Sequence, residues 1–121
     1  MDVQDESRDM IEQLIRRMGF LFSYHGTWNL VDAVLLCTRE PDALTAITKR
    51  IYPAIAKKEG TKWRNVERNM RTAVDAFWER GNRELLSSMA GYNLMVRPSV
   101  GEIINYITGY VRELEFQKQY Q

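Results

Sequence analysis

ITKRIYPAIAKKEGTKWRNVERNMRTAVDAFWERGN, residues 47–82, is the stretch on which the fold turns. Its first half passes through Pro53, Ile55 and Ala56 to Lys57 and Lys58, and stops at Gly60. A proline lacks an amide donor and disfavours helical geometry in the residue before it. Pro53 therefore kinks a helix or begins a fresh one. A short helix that stops at a glycine and is followed at once by a long helix has the rhythm of a helix–turn–helix. Thr61 is the expected cap of the long helix, which runs to about Arg80 and closes at Gly81-Asn82.

At about 100° per residue, Trp63, Val66, Met70, Ala73, Val74 and Phe77 fall on one stripe of that long helix, which must face a core. Thr61, Arg64, Asn65, Arg68, Arg71 and Thr72 fall on the other side. This second face is cationic in its first turns, whereas Asp75 and Glu79 make the later turns acidic. Residues 49–71 hold eight bases (Lys49, Arg50, Lys57, Lys58, Lys62, Arg64, Arg68 and Arg71) against two acids, Glu59 and Glu67. The chain as a whole has a formal charge of +1, so this local excess of six is offset by acids elsewhere. Such a distribution attracts phosphate where a domain docks and leaves the remainder soluble.

The charge run has a plainer reading as a solvated helix face. The short preceding helix, the Gly60-Thr61 turn and the crowding of bases into the first turns favour a helix that enters the major groove by its N-terminal half. Arginine pairs bidentately with guanine and asparagine with adenine. Glu67, at the edge of the face, accepts from a cytosine amino group or orients Arg64 or Arg71. The expected base contacts are Arg64, Asn65, Glu67 and Arg68. The expected DNA-backbone contacts are Thr48, Lys49, Lys57, Lys58, Thr61, Lys62, Arg71 and Thr72.

Outside this stretch the pattern is helical throughout. Met10, Ile11, Leu14, Ile15 and Met18 give a first helix over residues 9–18, ended near Gly19. Thr27 is the expected cap of a second, with Leu30, Val31, Val34 and Leu35 on one face. Pro41 fits the first turn of a third through Ala43, Leu44, Ile47 and Ile51. A helix over residues 84–90 follows the long one, and Ser99 caps a last helix carrying Ile103, Ile104, Ile107, Val111 and Leu114. Nothing alternates at period two. The fold class is all-α: about six helices in a compact single domain with a central helix–turn–helix, winged-helix-like but without a β wing. Residues 1–7 are expected to lack order, and residues 8–121 to form the helical helix–turn–helix domain.

Composition narrows the function. With 121 residues and 45% apolar content, the chain has enough for one core. No apolar run approaches the roughly 18 residues of a membrane span. The opening MDVQDESRDM is acidic and has no signal core, so a cytoplasmic location is expected. Cys37 is the one cysteine and His25 the one histidine, which gives neither a disulfide nor a metal cluster. Asp32, Glu40 and Asp42 read as solvent-facing carboxylates, and the methionines and tryptophans as core filler, with Trp63 placed to touch DNA. There is no Gly-rich phosphate loop and no activated nucleophile, so no enzyme and no cofactor is expected.

At these residues the chain resembles the C-terminal effector domain of the stage 0 sporulation protein A family of response regulators. The likeness lies in Ile47-Thr48-Lys49, Tyr52-Pro53, Ile55-Ala56-Lys57-Lys58, Val66-Glu67-Arg68, Arg71, Ala73, Trp78, Arg80-Gly81-Asn82 and Gly91-Tyr92. It extends more weakly from Gly19 to Glu115. The resemblance implies six helices and sequence-specific binding to short promoter boxes in double-stranded DNA. It also implies tandem copies pairing on DNA, and contact with RNA polymerase through its sigma subunit. It places Glu67 and Arg68 on the bases, with Arg71 nearby.

The sequence departs from the family at Asn65, where an arginine is typical, and at His25, often lysine. The 93–98 loop is also about three residues shorter than usual. Family members carry a receiver domain with a phosphorylatable aspartate. No α/β receiver pattern occurs here, so the chain reads as an excised fragment or as a stand-alone effector. The alternative function, from a different class, is a helical protein-interaction module that binds polymerase or a full-length regulator without specific DNA binding.

Overall fold

A computed structural model describes residues 3–119, with side chains from Glu6 onward. Its elements are α1 (Val3–Met18), α2 (His25–Arg39), a 3-10 turn (Pro41–Thr45), a π turn (Ile47–Ile51), α3 (Tyr52–Glu59), α4 (Trp63–Arg80), α5 (Arg83–Ala90) and α6 (Val100–Gln119). Six α-helices and no strand form among the described residues, and none of these helices is long and apolar enough to cross a membrane.

The boundaries differ from the sequence expectation where a local hydrogen bond intervenes. α1 begins at Val3, not near Asp9. Of the seven residues expected to lack order, Met1 and Asp2 lie outside the described residues, and residues 3–7 belong to α1. α2 starts ahead of Thr27, with Tyr24 at its N-cap and no side-chain cap. Thr27 is buried instead. Its hydroxyl donates to the Leu21 carbonyl (2.6 Å), and the Trp28 indole donates to Phe22 (3.1 Å), so both tie the preceding connection to the helix. The expected third helix splits into the 3-10 and π turns. In the π turn the Tyr52 N–H reaches back five residues to the Ile47 carbonyl. This wider turn lets Pro53, which has no N–H to offer, sit within the first turn of α3. The last helix is capped as expected: the Ser99 N–H donates to Glu102 (2.9 Å), and the Glu102 N–H donates to the Ser99 hydroxyl (3.1 Å).

One core unites the helices. α1 contributes Ile11, Ile15 and Met18, and α2 contributes Leu30, Val31, Val34 and Cys37. α4 contributes Val66, Met70, Val74 and Phe77, and α6 contributes Ile103, Ile104, Ile107 and Val111. Phe20, from the connection after α1, stacks on Phe77 with ring centroids 4.2 Å apart, a geometry worth about 0.5–1.5 kcal/mol beyond the buried area. α2 and α4 cross backbone against backbone at Gly26, where a Cβ would stand 1.9 Å from the Asn69 carbonyl oxygen. Any side chain there would push the two helices apart. α2 is therefore the plate on which α4 is mounted, and α3 packs beside both.

Candidate nucleic-acid interface

The turn between α3 and α4 is made by Gly60 in the left-handed conformation (φ +68°), with its N–H directed to the carbonyls of Ala56 and Lys57. The Thr61 N–H closes back on Ala56 at 2.9 Å. This is a Schellman-type ending. It satisfies the last carbonyls of α3 and reverses the chain within two residues. Thr61 does not cap α4. That helix begins at Trp63 with Lys62 at its N-cap and no side-chain cap. The Thr61 hydroxyl instead accepts from the Asn65 amide (2.8 Å).

α4 is sorted as its periodicity requires. Val66, Met70, Ala73, Val74 and Phe77 are buried, while Arg64, Arg68, Arg71 and Thr72 are exposed. Trp63 lies on the apolar stripe by angle, but as the first residue of α4 it is 38% exposed. The Arg64 guanidinium lies over the Trp63 ring at 5.4 Å. Arg68 Nη2 donates to the Asn65 side-chain oxygen Oδ1 (2.8 Å), so Asn65, with its side-chain Nδ2 on Thr61, holds Arg68 from behind. Glu67 pairs with Arg71 (3.3 Å), which settles the choice between Arg64 and Arg71. The Thr72 hydroxyl donates back to the Arg68 carbonyl (3.1 Å) and points along its own helix. Burial, with the Glu67 charge adding to it, pushes the Tyr52 hydroxyl up to about 12, which fixes it as a neutral strut between α3 and α4.

The other expected contacts fall in two places. Lys57, Lys58 and Lys62 flank the turn and are exposed. Thr48 and Lys49 are exposed on the π turn at the far end of α3, roughly 12 Å of helix away. Lys58 is not wholly available, since its Nζ lies 3.4 Å from Asp32.

Asp32 corrects the sequence reading. It is not a solvated carboxylate: its side chain is 11% exposed, and it is gripped by Arg8 as well as Lys58. His25 also has a partner that the sequence reading missed. Its Nε2 lies 3.0 Å from the Glu59 carboxylate, which also accepts from Asn29 (3.0 Å). The signal was present in the spacing: residues 25, 29 and 32 recur by four and three, so they share the face of α2 that meets α3.

Beyond α4, Arg97 reaches from the α5–α6 loop to the Asp75 carboxylate (2.5 Å) and the Arg71 carbonyl (3.5 Å). That loop exposes Tyr92, Met95 and Val96. No group of three or more His, Cys, Asp or Glu side chains that could hold a metal occurs among the described residues.

The arrangement is a helix–turn–helix whose second helix is anchored by one face and cationic on the other. Comparison with known families agrees with it. The family described as sporulation initiation factor Spo0A, C terminal, matches residues 11–111, from the core of α1 to the last buried turn of α6. The match takes in nearly the whole chain, and the chain therefore belongs to this family of DNA-binding, transcription-regulating effector domains of sporulation.

Proposed function

We propose that this chain reads short promoter boxes in duplex DNA with the N-terminal half of α4 in the major groove. The observation that carries the reading is the pairing of an outward cationic face (Arg64, Arg68 and Arg71) with an opposite stripe buried from Val66 to Phe77 on one helix. Arg68, held by Asn65, is the leading base contact, with Arg64 and Glu67 beside it and Asn65 reaching a base only by releasing Thr61 or Arg68. Thr48, Lys49, Lys57, Lys58, Thr61, Lys62, Arg71 and Thr72 follow the sugar–phosphate rails. Copies pair in tandem on adjacent boxes. The exposed Tyr92, Met95 and Val96 support a protein contact next to the DNA, for which the sigma subunit of RNA polymerase is the partner we infer.

The test separates reading from docking. Arg68→Ala removes about 1–3 kcal/mol of discrimination, so the preference for a selected box over random duplex falls by roughly 5- to 150-fold. Lys58→Ala weakens all sequences alike and flattens the salt slope by about one ion or less, since Asp32 already holds part of its charge. If neither change moves a mobility-shift titration, α4 is not the groove helix. Failure of the wild-type chain to retain random duplex even at low salt would favour the protein-interaction module.

A further inference from the structure

α2 meets α3 through a polar ladder at the edge of the proposed interface. His25, Asn29 and Asp32 stand on one face of α2. Asp32 takes Arg8 and Lys58, while His25 and Asn29 take Glu59. Glu59 is the last residue of α3, immediately before the Gly60 turn, and one of two acids in the cationic stretch 49–71. Its two carboxylate oxygens lie 3.1 and 3.0 Å from His25 Nε2. Asn29 is completely buried. It spends its amide on Glu59, while its own oxygen finds no partner among the described residues. A buried amide left half satisfied is costly, and the contact it makes in return holds Glu59 in place. His25 remains open to solvent, with its side chain 59% exposed.

We propose that His25 couples DNA affinity to pH: protonation turns its hydrogen bond with Glu59 into an ion pair and adds one positive charge beside the helix–turn–helix. The proposal rests on the DNA-binding reading above. Histidine changes charge between pH 5 and 8, and His25 is the one histidine in the chain. The neutral imidazole reaches the carboxylate only in the tautomer that carries its proton on Nε2, whereas the imidazolium always donates there. The groups around it leave Glu59 as its charged partner. From α3 it meets Glu59, with Lys57 and Lys58 next in sequence and Lys58 turned to Asp32. On α2 the neighbour is Asn29, and α4 offers the neutral Asn69 carbonyl against Gly26. With His25 uncharged, the Glu59 carboxylate stands uncompensated beside the phosphate rails; with His25 protonated the pair carries no net charge, and DNA is held more tightly.

The experiment compares wild type with His25→Gln, which stays neutral, and His25→Lys, which stays charged. A random-sequence duplex and a selected box are titrated from pH 8 to pH 5.5 at fixed low ionic strength, and melting curves at each pH establish that the fold persists. Wild type tightens by roughly three- to tenfold across this range. His25→Gln stays flat at the weak end. His25→Lys stays flat at the tight end, with a salt slope steeper by about one ion. A His25→Gln response equal to that of wild type overturns the coupling while leaving DNA binding intact. Absence of binding by every form at every pH overturns the DNA-binding reading, and the coupling with it.

Discussion

The Gly26 contact gives the sharpest test of how α4 is mounted. In Gly26→Ala the new methyl would lie 1.9 Å from the Asn69 oxygen, 2.3 Å from its carbon and 2.7 Å from the Met70 nitrogen. All three are backbone atoms in the middle of a helix, so no side chain can swing away. Restoring an ordinary contact of about 3.4 Å requires α2 and α4 to separate by about 1.5 Å along a seam packed at crystal-like density. Overpacking costs 1–3 kcal/mol where side chains can adjust. Here both walls are backbone, so about 3 kcal/mol is the expected floor. At this chain length about 1 kcal/mol moves the melting temperature by roughly 4 °C, which puts the drop at about 12 °C or more in a circular dichroism melt. Two other glycines serve as controls. Gly109, inside α6, has open space around it, and Gly109→Ala is expected to raise stability by about 0.5–1 kcal/mol. Gly60 also has open space but lies at φ +68°, so Gly60→Ala costs about 1–2 kcal/mol from backbone conformation alone. The order Gly109→Ala, wild type, Gly60→Ala, Gly26→Ala, from most to least stable, is the prediction. A Gly26→Ala protein melting within 3 °C of wild type would show that the two backbones do not meet.

Three further outcomes follow from the same geometry. Ser99→Ala removes the hydroxyl half of the α6 cap and should cost about 1 kcal/mol in urea denaturation. Glu102 is held below the usual carboxylate range, first by the Ser99 N–H and then by the Ser99 hydroxyl. A depressed folded-state value stabilises the fold above the unfolded-state value and is lost as pH falls through the folded one. Glu102→Gln should therefore flatten part of the decline in stability below about pH 4.5, and curves parallel to wild type would refute the linkage. Burial pushes the Cys37 thiol up to about 11, so native Cys37 should react with an aromatic disulfide at pH 8 at least about 100-fold more slowly than the unfolded chain. Equal rates would mean that the core opens freely.

Periodicity carried most of the fold. The buried stripe of α4, the Gly60 stop and the Ser99 cap each follow from side-chain chemistry that acts within one or two turns, so a linear reading finds them. What it missed is which of several reachable partners a side chain takes. Thr27 and Thr61 have the chemistry of a cap, and spacing does not show that the Leu21 carbonyl, six residues back, and the Asn65 amide, four residues on, engage their hydroxyls instead. Asp32 reads as a surface acid until α1 and α3 bring Arg8 and Lys58 to it. The cationic face itself was legible, but its internal order was not. Arg68 behind Asn65, and Arg71 paired with Glu67, depend on rotamers, which spacing leaves open.

The π turn before α3 has a consequence for how the chain can change length. It accommodates one residue more than an α-helical turn and keeps the Pro53 ring clear of the carbonyl four positions upstream. Deleting Arg50 would restore ordinary winding and drive that ring into the Thr48 carbonyl, then four positions upstream, while the same deletion with Pro53→Ala would not. The dependence runs one way: the segment can be shortened only after the ring is gone, whereas the ring can be lost with the longer turn kept.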